Sequence, residues 1–502
     1  MLRPFSAETR ADALRRMADG QVDLLVIGGG ITGAGIALDA ASRGLSVALI
    51  EREDFAAGTS GRSSRLIHGG LRYLEHLEFG LVAESVRERA ILRRLAPHLV
   101  RPLPMYYPMD RHRDRAYYRL GLSIYDGLAA GRNIGRHRMA GMGEVHRAAP
   151  GLARPEPGGV SWECRTDDAR LTLEIVRTAA AHGALVANHT EAVSMLGDGS
   201  VTGVIAADRV TGATLAIAAR LTVNATGVWA DGVQALASAN PARIRPSKGV
   251  HLVFRPGAVA TRVGMLLPSA ADDGRFLFVI PWEDRAYVGT TDTDHDGDRD
   301  APAVEDADRA YVLAAVQRAF PAATADDVVA SWAGLRPLLD RGQASTKDLS
   351  RQHAIFEDPK GLLTITGGKL TTWRAMAEDL VDRAARELGR GGRCRTRHLA
   401  LGLTADLGPT LHQAAGEASA LGLEPRTGRR LALRYGDDWR EAVRLLRDDP
   451  SLAEPIALGL PVLRVEAELA RTREMAITDD DVLVRRTRLA TLDGAAAARL
   501  TP

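Results

Sequence analysis

Cysteine is nearly missing from this chain: Cys164 and Cys394 are the only two among 502 residues. They lie far apart and lack metal-ligand spacing. A disulfide framework is therefore excluded, and a reducing compartment is the simpler setting. An excess of charge of one sign is missing too. Lys and Arg number 65 against 63 Asp and Glu, a formal net charge of +2. No global field draws the chain to nucleic acid, and any anion site must be local. Long apolar runs are also absent. The first twenty residues, MLRPFSAETRADALRRMADG, have no apolar core of a secretory signal and read as a short surface helix. The most apolar stretch, 24–41, is broken by glycines and Asp39, so no membrane-spanning helix is expected, and contact with a membrane would be at its surface. No repeat occurs at a solenoid period.

What is present is an ordinary globular composition, 45% hydrophobic and 25% charged, long enough for two or three domains. Its 50 glycines cluster in short groups. Residues 22–27, VDLLVI, read as a buried strand. Gly28-Gly29-Gly30-Ile31-Thr32-Gly33 then fits G-x-G-x-x-G, with Gly28 for the tight turn, Gly30 for close pyrophosphate approach and Gly33 for helix–strand packing. A small-residue helix follows over 31–43 and stops at Gly44. A second strand, 46–50, ends at Glu51, an acid placed to accept hydrogen bonds from both ribose hydroxyls and to repel a 2′-phosphate. The complete β-α-β unit presents a helix N-terminus to a pyrophosphate. Its place at the head of a long chain, with no second copy, points to FAD rather than NAD.

Residues 58–75, GTSGRSSRLIHGGLRYLE, form a polar, glycine-broken, basic segment. Its Ser60, Ser63 and Ser64 can hydrogen-bond phosphate or ribitol, Arg65 and Arg72 add charge, and His68-Gly69-Gly70 lets backbone approach a planar ring. Residues 221–227 read as a buried strand ending at Gly227. Residues 276–281 and 286–291 read as a hairpin. Residues 362–366 read as a strand, after which Gly367-Gly368 opens a helix at Lys369 whose dipole favours negative charge.

The run SSRLIHGGLRYLEHLEFGLVAES (63–85) resembles the aerobic, FAD-dependent glycerol-3-phosphate dehydrogenase family of the D-amino-acid-oxidase-like flavoproteins. The likeness continues in order through DDARLTLE (167–174), NATGVWAD (224–231), KGVHLVF (248–254), FVIPWEDRAYVGTTDTD (278–294), AGLRPL (333–338) and TGGKLTTWR (366–374). The resemblance implies an α/β FAD-binding Rossmann-like domain, a mixed-sheet substrate domain and a C-terminal all-helical domain. The expected boundaries are 20–75, 151–245 and 352–392 for the FAD-binding domain, 76–150 and 246–351 for the substrate domain with a basic helical insertion, and 395–502 for the helical domain. It implies oxidation of sn-glycerol 3-phosphate to dihydroxyacetone phosphate, with hydride passing to noncovalently bound FAD and electrons to quinone. The alternatives are an oxygen-using glycerol-3-phosphate oxidase and an amine or amino-acid oxidase of the same fold.

Cofactor contacts implied in this way are Gly28, Gly30, Gly33, Glu51, Thr59, Ser60, Ser64, Arg65, Leu66, His68, Gly69, Val193, Ala225, Thr226, Gly227, Gly368, Lys369, Leu370 and Thr371. Substrate contacts implied are Arg72, Tyr73, Arg336, Arg351 and Lys369, since the arginine fork matches phosphate oxygens. After Arg351 the family often has an acid and an aromatic residue, where this chain has Gln352-His353. Alkoxide formation at C2 calls for nearby cations, for which Arg336 and Lys369 stand as catalytic candidates. It also calls for a base, for which His251 stands first and His68 second. No metal is expected. In 111–138 arginines cluster beside aromatic residues, a composition suited to a membrane surface. The expected setting is cytoplasmic, peripherally attached to the membrane; a homodimer is an open reading. Thr478-Asp479-Asp480-Asp481 reads as a helix start before VLVRRTRLA, within a helical domain expected to act as a structural cap.

Overall fold

The computed structural model describes residues 4–74, 78–109, 112–238, 244–271, 273–340 and 353–500. Two sheets organise the chain. The first has parallel strands in the order Leu362–Thr366, Thr214–Asn224, Gln21–Ile27, Val47–Ile50 and Leu185–Ala187, with Ala354–Glu357 antiparallel at one edge. Gln21–Ile27 is buried at every position after its first. It reads as a continuous apolar run because helices cover a parallel sheet. Helix Ile31–Ser42 packs against helices Asp168–Ala181 and Trp373–Leu388. A Cβ at Gly35 would stand 2.6 Å from the Trp373 ring, so the small residue sets how closely these helices approach.

The N-terminal helix, Ala7–Ala18, is docked rather than loosely superficial. It buries Ala13, Leu14 and Met17, and the buried Arg10 guanidinium holds Asp208 at 2.5 Å.

The second sheet runs Thr293–Asp294, Ile244–Phe254, Arg285–Gly289, Phe276–Trp282, Gly264–Pro268, Arg101–Pro108, Gly158–Arg165 and Leu66–Ile67. Val328–Leu339 pairs along Ile244–Phe254, and Arg138–Ala140 pairs with Gly158–Arg165. The hairpin expected near 276–291 is present. Two strands from segments expected in the nucleotide-binding domain, Leu66–Ile67 and Gly158–Arg165, pair in this sheet instead. The expected helical insertion at 76–150 contains helices Phe79–Leu95 and His112–Ala129, but also the strand Arg101–Pro108.

Past residue 394 the described chain is helical: Leu407–Ala420, Pro425–Tyr435, Trp439–Asp448 and Arg464–Arg473 surround Leu431, Tyr435, Trp439 and Leu469. The expected helix start at Thr478 lies before a wide-turned segment, Asp481–Arg486. There Asp481 is fully buried, accepting from the Ile477 and Thr478 amides and paired with His189.

Candidate active site

The glycine turn is set by contacts that tolerate no side chain. Gly28 has φ +110°, and a Cβ there would stand 2.8 Å from the Ala225 carbonyl oxygen. At Gly33 a Cβ would stand 1.9 Å from the Gly28 carbonyl oxygen. Ala225 donates its amide to the Ile27 carbonyl at 2.9 Å, so the strand ending at Asn224 delivers Ala225, Thr226 and Gly227 beside the turn. Gly30 immediately precedes helix Ile31–Ser42. The Ser60 Oγ accepts the Ile31 N–H at 2.8 Å. Glu51 Oε2 accepts the Gly29 N–H at 2.6 Å, and Oε1 accepts the Glu53 N–H at 2.8 Å. Burial pushes this carboxyl above its ordinary pKa against the pull of those two donors. Val193 sits at the register shift of strand Thr190–Leu196, 42% exposed. That strand starts beside the same acid, the Thr190 amide donating to the Glu51 carbonyl at 2.7 Å. A side-chain-free turn, a helix N-terminus and a fixed carboxylate at the next strand end together fit a dinucleotide.

Residues 59–64 carry this turn across to the second sheet. Thr59 Oγ1 donates to the Leu335 carbonyl at 2.6 Å, next to Arg336. Gly334 lies so close that a Cβ would stand 2.4 Å from the Arg62 carbonyl oxygen. Ser64 Oγ is 2.9 Å from His251 Nε2. Six residues thus join the cofactor turn to both leading substrate-side candidates.

His251 is 2% exposed, stacked on Trp332 with ring centroids 4.7 Å apart. Burial, then the Arg336 and Arg65 charges, hold its pKa well below the usual histidine value, so the ring is neutral near pH 7. Arg336 is held on two sides. Nη1 reaches Ser247 Oγ at 3.3 Å and Asp292 Oδ1 at 3.2 Å, while Nη2 reaches Thr290 Oγ1 at 3.1 Å and the Thr291 carbonyl at 3.2 Å. Its side chain keeps 24% exposure. Lys369 Nζ lies 3.4 Å from Ser85 Oγ. The turn Leu370–Thr372 follows Lys369, and its Thr371 Oγ1 exchanges hydrogen bonds with the His68 amide and carbonyl. A Cβ at Gly368 would stand 2.4 Å from Met376 Sδ.

Arg65 differs from its expected role. Its side chain is 1% exposed and caged by Trp282, Trp332 and Tyr287, with Cζ 4.5, 4.6 and 5.6 Å from the ring centroids. Any cofactor contact there falls to the backbone, as at buried Leu66. Gly69 has a packing reason as well: a Cβ would stand 1.8 Å from Tyr125 Oη. Arg351 and the side chains of Arg72 and Tyr73 lie outside the described residues.

Two supports were not singled out from the sequence. Beneath His68-Gly69, Glu163 accepts the Gly69 amide at 2.9 Å and the Tyr125 hydroxyl at 3.0 Å, and pairs with buried Arg89. Beneath Ser63, buried Asp168 accepts both the amide and the hydroxyl, at 2.9 and 2.7 Å. Asp168 is in turn paired with Arg488, which also binds Asp167 at 3.0 Å and the Gly61 carbonyl at 3.0 Å. Arg486 and Arg485 pair with fully buried Asp54. The C-terminal domain is thus a clamp on residues 54–63 rather than only a cap.

The family profile described as "FAD dependent oxidoreductase" matches residues 23–383. The profile "C-terminal domain of alpha-glycerophosphate oxidase" matches 394–502. The chain is 42% identical over 489 residues to glycerol-3-phosphate dehydrogenase 2 of Mycobacterium tuberculosis, covering 96% of this chain and 83% of that protein. It is 37% identical over 503 residues to the aerobic glycerol-3-phosphate dehydrogenase of Staphylococcus saprophyticus, covering 96% and 89%. The crystal structure of the Bacillus halodurans glycerol-3-phosphate dehydrogenase complexed with FAD superposes with a TM-score of 0.81 at 35% identity, over 98% of this chain and 91% of that one.

Proposed function

This chain belongs to the FAD-dependent glycerol-3-phosphate dehydrogenase family and has FAD as its cofactor; from that premise we propose that it oxidises sn-glycerol 3-phosphate to dihydroxyacetone phosphate and passes the electrons to quinone. Bound FAD supplies the hydride acceptor. Arg336, with Lys369, Arg72, Tyr73 and Arg351, binds the substrate's oxygens, and Arg336 also stabilises the negative charge that develops at O2. The C2 hydroxyl gives its proton across the Ser64 hydroxyl to His251 Nε2. The observation that carries this reading is the pairing of a two-sided arginine mount with a neutral histidine, both tied through residues 59–64 to the glycine turn. Anaerobic addition of glycerol 3-phosphate should bleach the flavin, and a ubiquinone analogue should restore the colour faster than air does. A flavin that stays oxidised under excess substrate would refute the reaction; faster recovery in air would assign oxygen as the acceptor.

Glu51→Ala is expected to weaken FAD binding about 10- to 100-fold, the loss of charge-assisted hydrogen bonds of ~1.5–3 kcal/mol. The KM of the residual holoenzyme should change little. Fluorescence titration of apoprotein with FAD measures this, and an unchanged dissociation constant would remove Glu51 from the ribose.

Because His251 is held neutral, kcat/KM should stay level as pH falls through about 6.5, with its acid limb displaced lower. The profile from about pH 5 to about pH 8 tests this. A limb near 6.5 that vanishes in His251→Gln would show an ordinary, solvated histidine.

The membrane surface is the proposed meeting place with quinone. No helix among the described residues is long and apolar enough to cross a bilayer. On His112–Ala129, however, Leu120 and Ile124 are 62% and 40% exposed, one turn apart, beside exposed Arg119. Flotation with phosphatidylglycerol vesicles should capture the protein at low salt. Leu120→Ser/Ile124→Ser should lose most of that capture, and equal flotation would place docking elsewhere.

A further inference from the structure

A basic cavity of about 240 Å³ opens where the C-terminal domain meets the rest of the chain. None of the candidate substrate residues lines it. Seven arginines face it, against the carboxylates of Asp167 and Glu283. Four of the seven are already paired: Arg170 with Glu474, Arg430 with Glu466, Arg434 with Asp167 and Arg426 with Glu424. Arg101, Arg165 and Arg429 make no ion pair among the described residues. Arg101 and Arg165 stand directly opposite each other on neighbouring antiparallel strands, an arrangement in which like charges destabilise a sheet; the Glu283 carboxylate, too far for an ion pair with either, offsets only part of that repulsion. Arg165 Nη1 donates to the Pro281 carbonyl at 3.0 Å, so backbone, not a carboxylate, holds it there. Burial and then the Arg165 charge push Arg101 down to about 10.

A second observation comes from His98. It lines the cavity and is 1% exposed, yet both ring nitrogens lack a hydrogen-bond partner. Buried polar atoms are nearly always satisfied by protein, water or ligand. Burial, then Arg170 and Arg101, push His98 down to about 3, so the ring is a neutral donor and acceptor.

We infer that this cavity, between the start of helix Asp168–Ala181 and helix Pro425–Tyr435, binds a small phosphate monoester through Arg101, Arg165 and Arg429. The volume suits a compact ligand, and guanidinium forks from two sides suit a tetrahedral dianion. Asp167 lies in the wall and is shared between Arg434 and Arg488. An occupant therefore bears on the clamp that holds Gly61 and Ser63, and should raise the melting temperature of the holoenzyme.

Calorimetric titration of the FAD-loaded protein with glycerol 2-phosphate, and separately with inorganic phosphate, should give two sites per chain: the active site and this one. Arg101→Gln/Arg429→Gln should leave one, with the KM for glycerol 3-phosphate within about twofold of wild type. Arg429 is exposed, so Arg429→Glu folds normally in any case and should weaken the second site tenfold or more while removing the anion-induced rise in melting temperature. A single site in the wild type, abolished by Arg336→Lys, would overturn the inference. Undiminished binding at two sites in Arg429→Glu would do so equally.

Discussion

Arg336→Lys is expected to lower kcat and kcat/KM together by roughly 100-fold or more, the scale of a lost oxyanion-type donor. The wild-type guanidinium spans two anchorages at once, Ser247 and Asp292 through one nitrogen and Thr290 and Thr291 through the other. It lies against Gly249, where a Cβ would stand 2.7 Å from Nη2. Lysine keeps the charge but brings a single ammonium that cannot occupy both positions. The remaining charge would wander where the arginine is pre-aimed, and pre-aiming is what favours a developing alkoxide over a neutral hydroxyl. Flavin content should stay normal, since Arg336 belongs to the second sheet and the glycine turn to the first. Rapid-mixing flavin reduction by glycerol 3-phosphate under anaerobic conditions separates the possibilities. Reduction at the wild-type rate at saturating substrate, with only KM raised, would limit Arg336 to holding phosphate.

Arg488→Met should cost about 3–5 kcal/mol of stability and strip flavin from the protein. Removing one partner of a buried ion pair leaves the other charge uncompensated, and this arginine serves two carboxylates. Asp167 and Asp168 are 7% and 0% exposed, and Arg488 also donates to the Gly61 carbonyl. Arg434 still reaches Asp167 at 3.4 Å, whereas Asp168 keeps only Arg65 at 3.9 Å. Asp168 holds Ser63, whose neighbour Ser64 binds His251, so the damage spreads to both the cofactor and the substrate side. Arg488→Lys should fall between the two proteins. Melting followed by flavin fluorescence, with FAD content measured on the purified variants, provides the check. A variant with full flavin and an unshifted transition would show that the C-terminal domain clamps nothing.

The parts of this architecture legible in sequence are those fixed by local sterics. Gly28 and Gly33 are demanded by carbonyl oxygens a few residues away or on the adjacent strand, and Glu51 by its place at the end of the next strand. The hairpin around Trp282 to Arg285 announced itself by two apolar runs of strand length. Arg101–Pro108 did not, because prolines at 102, 104 and 108 argue against a strand. They are tolerated because the neighbour Gly264–Pro268 pairs only with Met105 and Tyr106, leaving the ladder on that side unused at Pro102 and Pro104. The Arg65 cage and the Glu163 support rest on contacts between distant segments that leave no periodic trace, so Arg65 read as one more surface cation beside a phosphate. The roles of Arg485, Arg486 and Arg488 were equally hidden: Arg485 pairs locally with Asp481, but the acids that make the clamp, Asp54, Asp167 and Asp168, lie hundreds of positions upstream.

That separation sets a timetable for the nascent chain. Gly61 and Arg488 are 427 positions apart. At about 5–20 residues per second, translation takes roughly 20–90 s to cover that interval. Once Asp168 is made, Asp54, Asp167 and Asp168 all wait for Arg485, Arg486 and Arg488, and residues 54–63 keep their upstream contacts but lack that clamp. Flavin capture that depends on this clamp has to follow the synthesis of Arg488.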